Sequence, residues 1–230
     1  MGMRLLVVAT LVALATPAGA DEREGALLDR IAAATVEQID AEPALRGFAL
    51  ARGAALFATD CASCHGPGGV GREGVPVLTD DDWLWGDGTL PRIERVIRHG
   101  IRDEQDPDTL TGYMPAFGAD GTLTRPQIED VAQHILSLTG RATDAEAARR
   151  GARIFAQNCA PCHGAAGQGD RYAGVPRLND DVWLYSGTLE GIEAQDTRPR
   201  HGVMPAWQDR LGEAEIKMVA VYVHSLGGGH

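Results

Sequence analysis

The chain is predicted to be all-α and to consist of two tandem small domains. Three observations predict this. A five-residue frame, Cys-x-x-Cys-His, occurs as Cys61-Ala62-Ser63-Cys64-His65 and again as Cys159-Ala160-Pro161-Cys162-His163, and together they use all 4 cysteines. The stretch ahead of each frame is duplicated, since Gly53, Phe57 and Cys61 recur as Gly151, Phe155 and Cys159 at a constant offset of 98. Between the helical stretches the chain is rich in Gly, Pro, Asp and Asn and shows no run of alternating apolar residues, so nothing signals a sheet.

The spacing within the frame decides its chemistry. Two thiols about one helical turn apart can add to the two vinyl groups of one porphyrin, and the imidazole that follows is placed to bind its iron. A structural zinc site would bring two Cys-x-x-Cys knuckles together over a short gap. Here Cys64 and Cys159 are 95 positions apart, and each pair carries its own histidine. A disulfide framework suits small secreted domains with scattered cysteines, and a thioredoxin-like pair would not be duplicated with a histidine after each copy. The sequence therefore predicts two covalently attached haem c groups, one per domain. Cys61 and Cys64 hold the first, Cys159 and Cys162 the second, with His65 and His163 as proximal iron ligands.

From the N-terminus, residues 1–20 carry one positive charge, Arg4, then an apolar run from Leu5 to Ala15, Pro17, and the small-residue site Ala18-Gly19-Ala20. This is the pattern of a secretory signal peptide. The run is short of the roughly 20 apolar residues that a spanning helix needs, and no second candidate follows. The expectation is export to the periplasm with cleavage before Asp21; retention of the leader as an anchor is the alternative. Residues 21–48 place Leu27, Leu28, Ile31, Val36 and Ile39 among polar residues, which predicts an N-terminal helical segment and linker packed on the first domain. The two domains follow as 49–140 and 141–230, in keeping with roughly 100 residues per small domain. Each opens on a helix, Arg52 to Cys61 and Arg149 to Cys159, and closes on one, Pro126 to Leu138 and Glu213 to Leu226. Pro126 falls where an opening turn tolerates it, and Gly227 stops the last helix. Aromatic content is only 5%, and domains this small bury a modest core, so the haem is expected to supply much of the apolar interior.

Past the frames the register drifts, as insertions in loops allow. Val75-Pro76 and Trp83-Leu84 recur at Val175-Pro176 and Trp183-Leu184, 100 positions on, whereas Met114-Pro115-Ala116 recurs at Met204-Pro205-Ala206, 90 positions on. A loop methionine beside proline is a poor core-filler. Of the 5 methionines two lie in the leader, and Met218 sits on the last helix, where packing accounts for it. Met114 and Met204 are therefore read as the sixth iron ligands, soft neutral thioethers that favour ferrous iron and fill the coordination sphere. His99 and His201 are the rival ligands, and their other reading is a place at the haem edge or in solvent. His134 stands where Tyr222 stands in the second repeat and is read as a helix-crossing ring. Trp83 and Trp183 each combine a large apolar body with one N–H donor, suited to walling a haem while bonding a propionate, with Trp85 and Tyr185 beside them. Arg98 and Arg200, in a repeated Arg-His-Gly, offer guanidinium forks to propionates.

The stretches Leu78-Thr79-Asp80-Asp81-Asp82-Trp83-Leu84-Trp85-Gly86 and Leu178-Asn179-Asp180-Asp181-Val182-Trp183-Leu184-Tyr185, each followed by a Met-Pro-Ala loop, resemble the dihaem subunit III of cbb3-type cytochrome oxidases. The resemblance runs from about Ala33 to the C-terminus. It implies two class I cytochrome c folds, His/Met ligation at both haems, and passage of electrons from a soluble donor toward an oxygen-reducing core. Subunits of that family begin with one or two transmembrane helices, whereas this chain begins with a leader-like segment.

A net charge of -11 disfavours nucleic-acid binding. The charge is uneven: residues 52–140 carry 14 Asp plus Glu against 7 Arg, and residues 141–230 carry 11 against 10 Arg plus Lys. The acidic insert 103–112, with Asp103, Glu104, Asp106 and Asp108, is read as a solvated loop or as a surface steering a basic partner. Its spacing is not that of an EF-hand. Two six-coordinate irons provide two one-electron relay points without substrate chemistry, so the chain reads as an electron-transfer protein rather than an enzyme. The expected partners are an electron donor and a terminal oxidase of the respiratory chain or another acceptor, with membrane contact only through a partner unless the leader is kept. The alternatives are a membrane-associated subunit through which electrons enter a cbb3-type oxidase, and a dihaem redox enzyme with one open haem.

Overall fold

A computed structural model describes residues 17–227, so most of the expected leader lies outside the described residues. Among them the regular structure is helical, with only isolated bridges besides. Three helices precede the first frame: α1 (Pro17–Ala33), α2 (Val36–Ala41) and α3 (Pro43–Leu56). Thr35 caps α2 through a reciprocal pair, its hydroxyl accepting from the Gln38 N–H while the Gln38 side chain accepts from the Thr35 N–H. Pro43 opens α3 in the first turn, where its missing N–H leaves no bond unmade. A π-helical turn over Phe57–Cys61 then leads into α4 (Ala62–His65).

The first repeat continues with α5 (Leu90–His99) and α6 (Arg125–Ser137). The second repeats the order as α7 (Ala145–Asn158), α8 (Ala160–His163), α9 (Leu189–Thr197) and α10 (Glu213–His224). Asp144 caps α7, its carboxylate accepting from the Glu146 and Ala147 N–H groups. The helices into the frames and the closing helices lie where the sequence places them. α5 and α9 do not figure in the sequence reading. In α5, Pro91 and the loop-like composition around it hide the helical spacing of Leu90, Ile93 and Ile97, all of which are buried.

The helices do not assemble repeat by repeat. α10 lies along α3 and α5, while α6 lies along α7 and α9. Each closing helix thus completes the core around the other repeat's frame. Gly53 brings α3 so near α10 that a Cβ would collide with the Met218 carbonyl and the Tyr222 side chain, and Gly151 approaches the Asp130 carbonyl of α6 in the same way. One residue turn further along, Phe57 meets Tyr222 with ring centroids 5.4 Å apart, and Phe155 meets His134 at 5.0 Å. His134 and Tyr222 are therefore equivalent crossing rings, as the repeat predicts, but each crosses the attachment helix of the opposite repeat. Chain connectivity explains this. α6 and α7 are consecutive and joined by a short connection, so they pair as antiparallel neighbours. That leaves α10 to cover α3. The expected boundaries, 49–140 and 141–230, follow the sequence repeat, and the packing crosses them.

The N-terminal segment covers the same shared core. Ile31, Val36 and Ile39 are buried together with Phe57 and with Ile216, Val219 and Val223 of α10. Lys217 on α10 donates to the Ala32 and Ala34 carbonyl oxygens at the end of α1, both at 2.8 Å. That supplies partners to carbonyls which a helix end leaves unmade.

Candidate haem-attachment sites

Each frame ends a helix and turns back on itself so that its histidine faces inward. The His65 Nδ1–H donates to the Pro76 carbonyl oxygen at 3.3 Å, and the His163 Nδ1–H donates to the Pro176 carbonyl oxygen at 3.0 Å. A carbonyl can only accept, so the proton sits on Nδ1 and Nε2 keeps its lone pair for a metal. Burial, partly offset by the bond to the proline carbonyl, pushes both imidazoles below their ordinary range and keeps them neutral. The first thiol of each frame lies against the core, Cys159 buried and Cys61 half-buried. Burial, helped by the Asp60 carboxylate, raises Cys61 to about 11, and burial with Asp196 raises Cys159 to about 12. Such positions suit a neutral thioether and discourage a thiolate. Cys64 and Cys162 are exposed.

A cleft of about 930 Å³ opens between the two attachment regions, lined among others by Trp83, Leu84, Cys162, Trp183 and Leu184. Trp183 Nε1 is buried with no protein partner. An unpaired buried donor is costly unless a bound group takes it. Trp85 and Tyr185 are placed differently: Trp85 packs on Gly174 and Tyr185 on Gly74, each on the other repeat, where a Cβ on the glycine would meet the ring. They form a pseudo-symmetric seam between the repeats.

The arginines read as propionate partners also pair with protein carboxylates. Arg98 forms ion pairs with Glu94 and Glu213 at 2.7 and 2.8 Å, and Arg200 pairs with Glu73 at 2.9 Å while stacking on Tyr185 at 4.2 Å. The acidic insert is not a free solvated loop. Asp106 is 5% exposed, accepts from His99 Nδ1 at 3.2 Å and from Gln208 Nε2 at 2.8 Å, and Asp103 accepts the Ala206 N–H at 2.7 Å. His99 is thus committed to a carboxylate. His201 accepts the Met114 N–H on Nε2 at 3.0 Å, which occupies the lone pair that an iron would need.

Comparison with known proteins agrees with this geometry. The sequence profile of the family described as cytochrome c oxidase, cbb3-type, subunit III matches residues 48–135 and 146–223. The chain is 44% identical over 212 residues to the cbb3-type cytochrome c oxidase subunit FixP of Sinorhizobium medicae, covering 92% of this chain and 72% of that protein. It is 48% identical over 191 residues to subunit CcoP of Cereibacter sphaeroides, covering 83% and 66%, and 49% identical over 208 residues to CcoP of Azospirillum brasilense, covering 88% and 70%. The chain belongs to the cbb3-type oxidase subunit III family. It is a c-type cytochrome.

For a member of that family the residues fit haem c on their own chemistry. Each frame supplies two thiols and an imidazole with a free Nε2, and the buried Trp183 N–H beside the cleft is a donor that no protein acceptor takes. One residue escaped the sequence reading. Asp196, at the end of α9, is 4% exposed, sits beside Cys159, and leaves Oδ2 without a partner. Burial, then the neighbouring Glu193, raises it to about 7. The signal was in the repeat, because the matching position of α5 is the buried Ile97.

Proposed function

We propose that this cytochrome relays single electrons through two haems toward a terminal oxidase of the respiratory chain. His65, His163, Met114 and Met204 would hold the irons. The observation that carries the reading is the duplicated histidine geometry, in which Nδ1 is pinned to a proline carbonyl and Nε2 is left free. A haem c supplies a one-electron ferric/ferrous couple. The chain does the rest by holding neutral ligands in place, setting the first thioether position of each frame against the core, and leaving Cys64 and Cys162 at the surface, where a partner's redox centre can approach. Trp83 and Trp183 wall the sites, and Trp183 donates its N–H to a propionate.

The named relatives are oxidase subunits, which supports an oxidase as acceptor and favours a docked subunit over a free shuttle. The protein is exported, with residues 1–20 as its leader, and works in the periplasm. Among the described residues no helix is long and apolar enough to cross a membrane. Intact mass and carbon monoxide titration test the reading together. The expected result is a chain starting at Asp21, two covalent haems, and ferrous haems that bind carbon monoxide slowly and incompletely. Rapid stoichiometric binding by one haem would replace the relay with an enzyme that has an open iron.

A further inference from the structure

We infer that Asp196 is a proton-binding group coupled to the haem attached at Cys159 and Cys162, taking up a proton when that haem is reduced and releasing it when the electron leaves. The inference goes beyond the electron-relay reading above and rests on it.

The placement of the carboxyl carries the argument. Asp196 lies at the end of α9, is 4% exposed, and leaves Oδ2 without a protein partner. It is close enough to the buried Cys159 for its charge to raise that thiol. Gly118 and Ala119 fix the backbone around it, donating to the Asp196 and Thr197 carbonyls at 3.3 and 2.9 Å. A buried carboxylate with a bare oxygen holds its charge only if a donor or a cation compensates it. The first repeat has the buried Ile97 at the matching position, so only one of the two attachment sites carries such a group.

The surrounding elements supply no compensation. On α9, Glu193 adds negative charge of its own, and after burial it is what holds Asp196 at about 7. The helix packed on α9 is α6, which carries Arg125, Glu129, Asp130 and His134. Arg125 pairs with Glu129 at 3.0 Å and Asp130 with Arg150 at 2.6 Å. Burial holds His134 toward its neutral form, against the Phe155 ring. Arg153 of α7 and Asp120 of the loop that carries Gly118 are exposed. Cys159 has no proton to exchange once it is a thioether. The Asp196 carboxyl is thus left to answer to the charge of the haem beside it.

The sign follows from that charge. Reduction takes one positive charge from the iron, the carboxylate loses its compensation, and its proton affinity rises. One electron from a one-electron redox partner goes to the iron and one proton from solvent goes to an Asp196 carboxylate oxygen; an O–H bond is the only bond formed. Oxidation returns both. Linkage then makes the potential of this haem fall as pH rises between the proton affinities of the oxidised and reduced states. A unit change of charge beside a buried carboxyl shifts its proton affinity roughly tenfold.

Redox titration of the intact holoprotein between about pH 5 and about pH 8 tests the coupling, with the two haems resolved by their separate ferric haem-methyl proton resonances. At a fixed poise, the ferrous-to-ferric ratio of the haem linked to Cys159 and Cys162 should fall roughly tenfold across that range, and that of the haem linked to Cys61 and Cys64 should change less. Asp196→Asn should flatten the first of these profiles and leave the other as it was. Reduced-minus-oxidised infrared spectra of the parent should gain a protonated-carboxyl stretch that the variant lacks. A profile that survives in Asp196→Asn overturns the inference and assigns the titration to the haem propionates; a flat profile in the parent overturns it outright. Absence of a covalent haem at Cys159 and Cys162, or of a reversible ferric/ferrous couple there, overturns the relay reading itself, and the coupling with it.

Discussion

Asp196 occupies in α9 the place of Ile97 in α5, and the difference has a thermodynamic sign. Its carboxyl is held at about 7 in the folded chain against an ordinary value of 3.8. A folded value above the unfolded one means that the native state binds more protons through that interval, so stability falls as pH rises from about 4 to about 7 and is flat above it. Asp196→Asn removes the titration. Thermal melting of the holoprotein should show the variant and the parent close together near pH 4, with the variant melting progressively higher up to pH 7. A constant gap across that range would deny Asp196 its buried ionisable role. At this scale the frames stand out in the sequence, because five consecutive residues carry both thiols and the imidazole. Asp196 was not legible without its neighbours. An acidic residue before Thr197 and Arg198 carries no pattern of its own that announces burial.

The elements show where pattern stops deciding. Gly53 and Gly151 announce close helix crossings, and the crossing rings Tyr222 and His134 are readable from their matched positions. Which closing helix fills which crossing is not readable, since the repeats are similar enough that either pairing satisfies the same apolar spacing. Connection length settles it in the fold by pairing α6 with its chain neighbour α7. Gly151→Ala tests that crossing directly. The new Cβ would strike the Asp130 backbone, which cannot rotate away as a side chain can, so the variant should lose about 1–3 kcal/mol in denaturant unfolding. An unchanged midpoint would place the α6–α7 contact elsewhere. The acidic insert makes the same point about loops: its sequence looks like a solvated charge run, yet Asp103 and Asp106 spend their carboxylates on Ala206 and Gln208 of the second repeat. Arg102 belongs to this level too. It holds φ 56, the one positive value outside glycine among the described residues, and its Nε and Nη1 donate to the carbonyls of Gly112 and Gly202, each two residues before a Met-Pro-Ala loop's methionine. Arg102→Ala should cost about 1.5–3 kcal/mol. It should also perturb the visible spectra of both haems. A change confined to one haem would show that the guanidinium serves a single loop.

For the whole molecule, crossed packing makes two sequence repeats into one cooperative body. The piece before the α6–α7 connection carries α3 and α5 but gives α6 away, and the piece after it carries α7 and α9 but gives α10 away. Neither piece can leave without stripping the closing helix from the other's core, and the Arg98–Glu213 pair between α5 and α10 adds a polar clasp across the same boundary. A specific protease site inserted after the exposed Gly140, with Arg141 kept for its bonds to Leu136 and Gly187, provides the test, because cutting there severs the α6–α7 connection. After cleavage the two fragments should co-elute under native conditions with both haems, and they should melt in one transition reported equally by the two Soret bands. They should separate only in denaturant. Two fragments that part freely in buffer, each keeping its haem and its six-coordinate spectrum, would mean that each repeat closes on itself. Under the proposed relay, the same cooperativity would hold the two haem centres at a fixed separation, a geometry that a flexible linker between independent domains would not maintain.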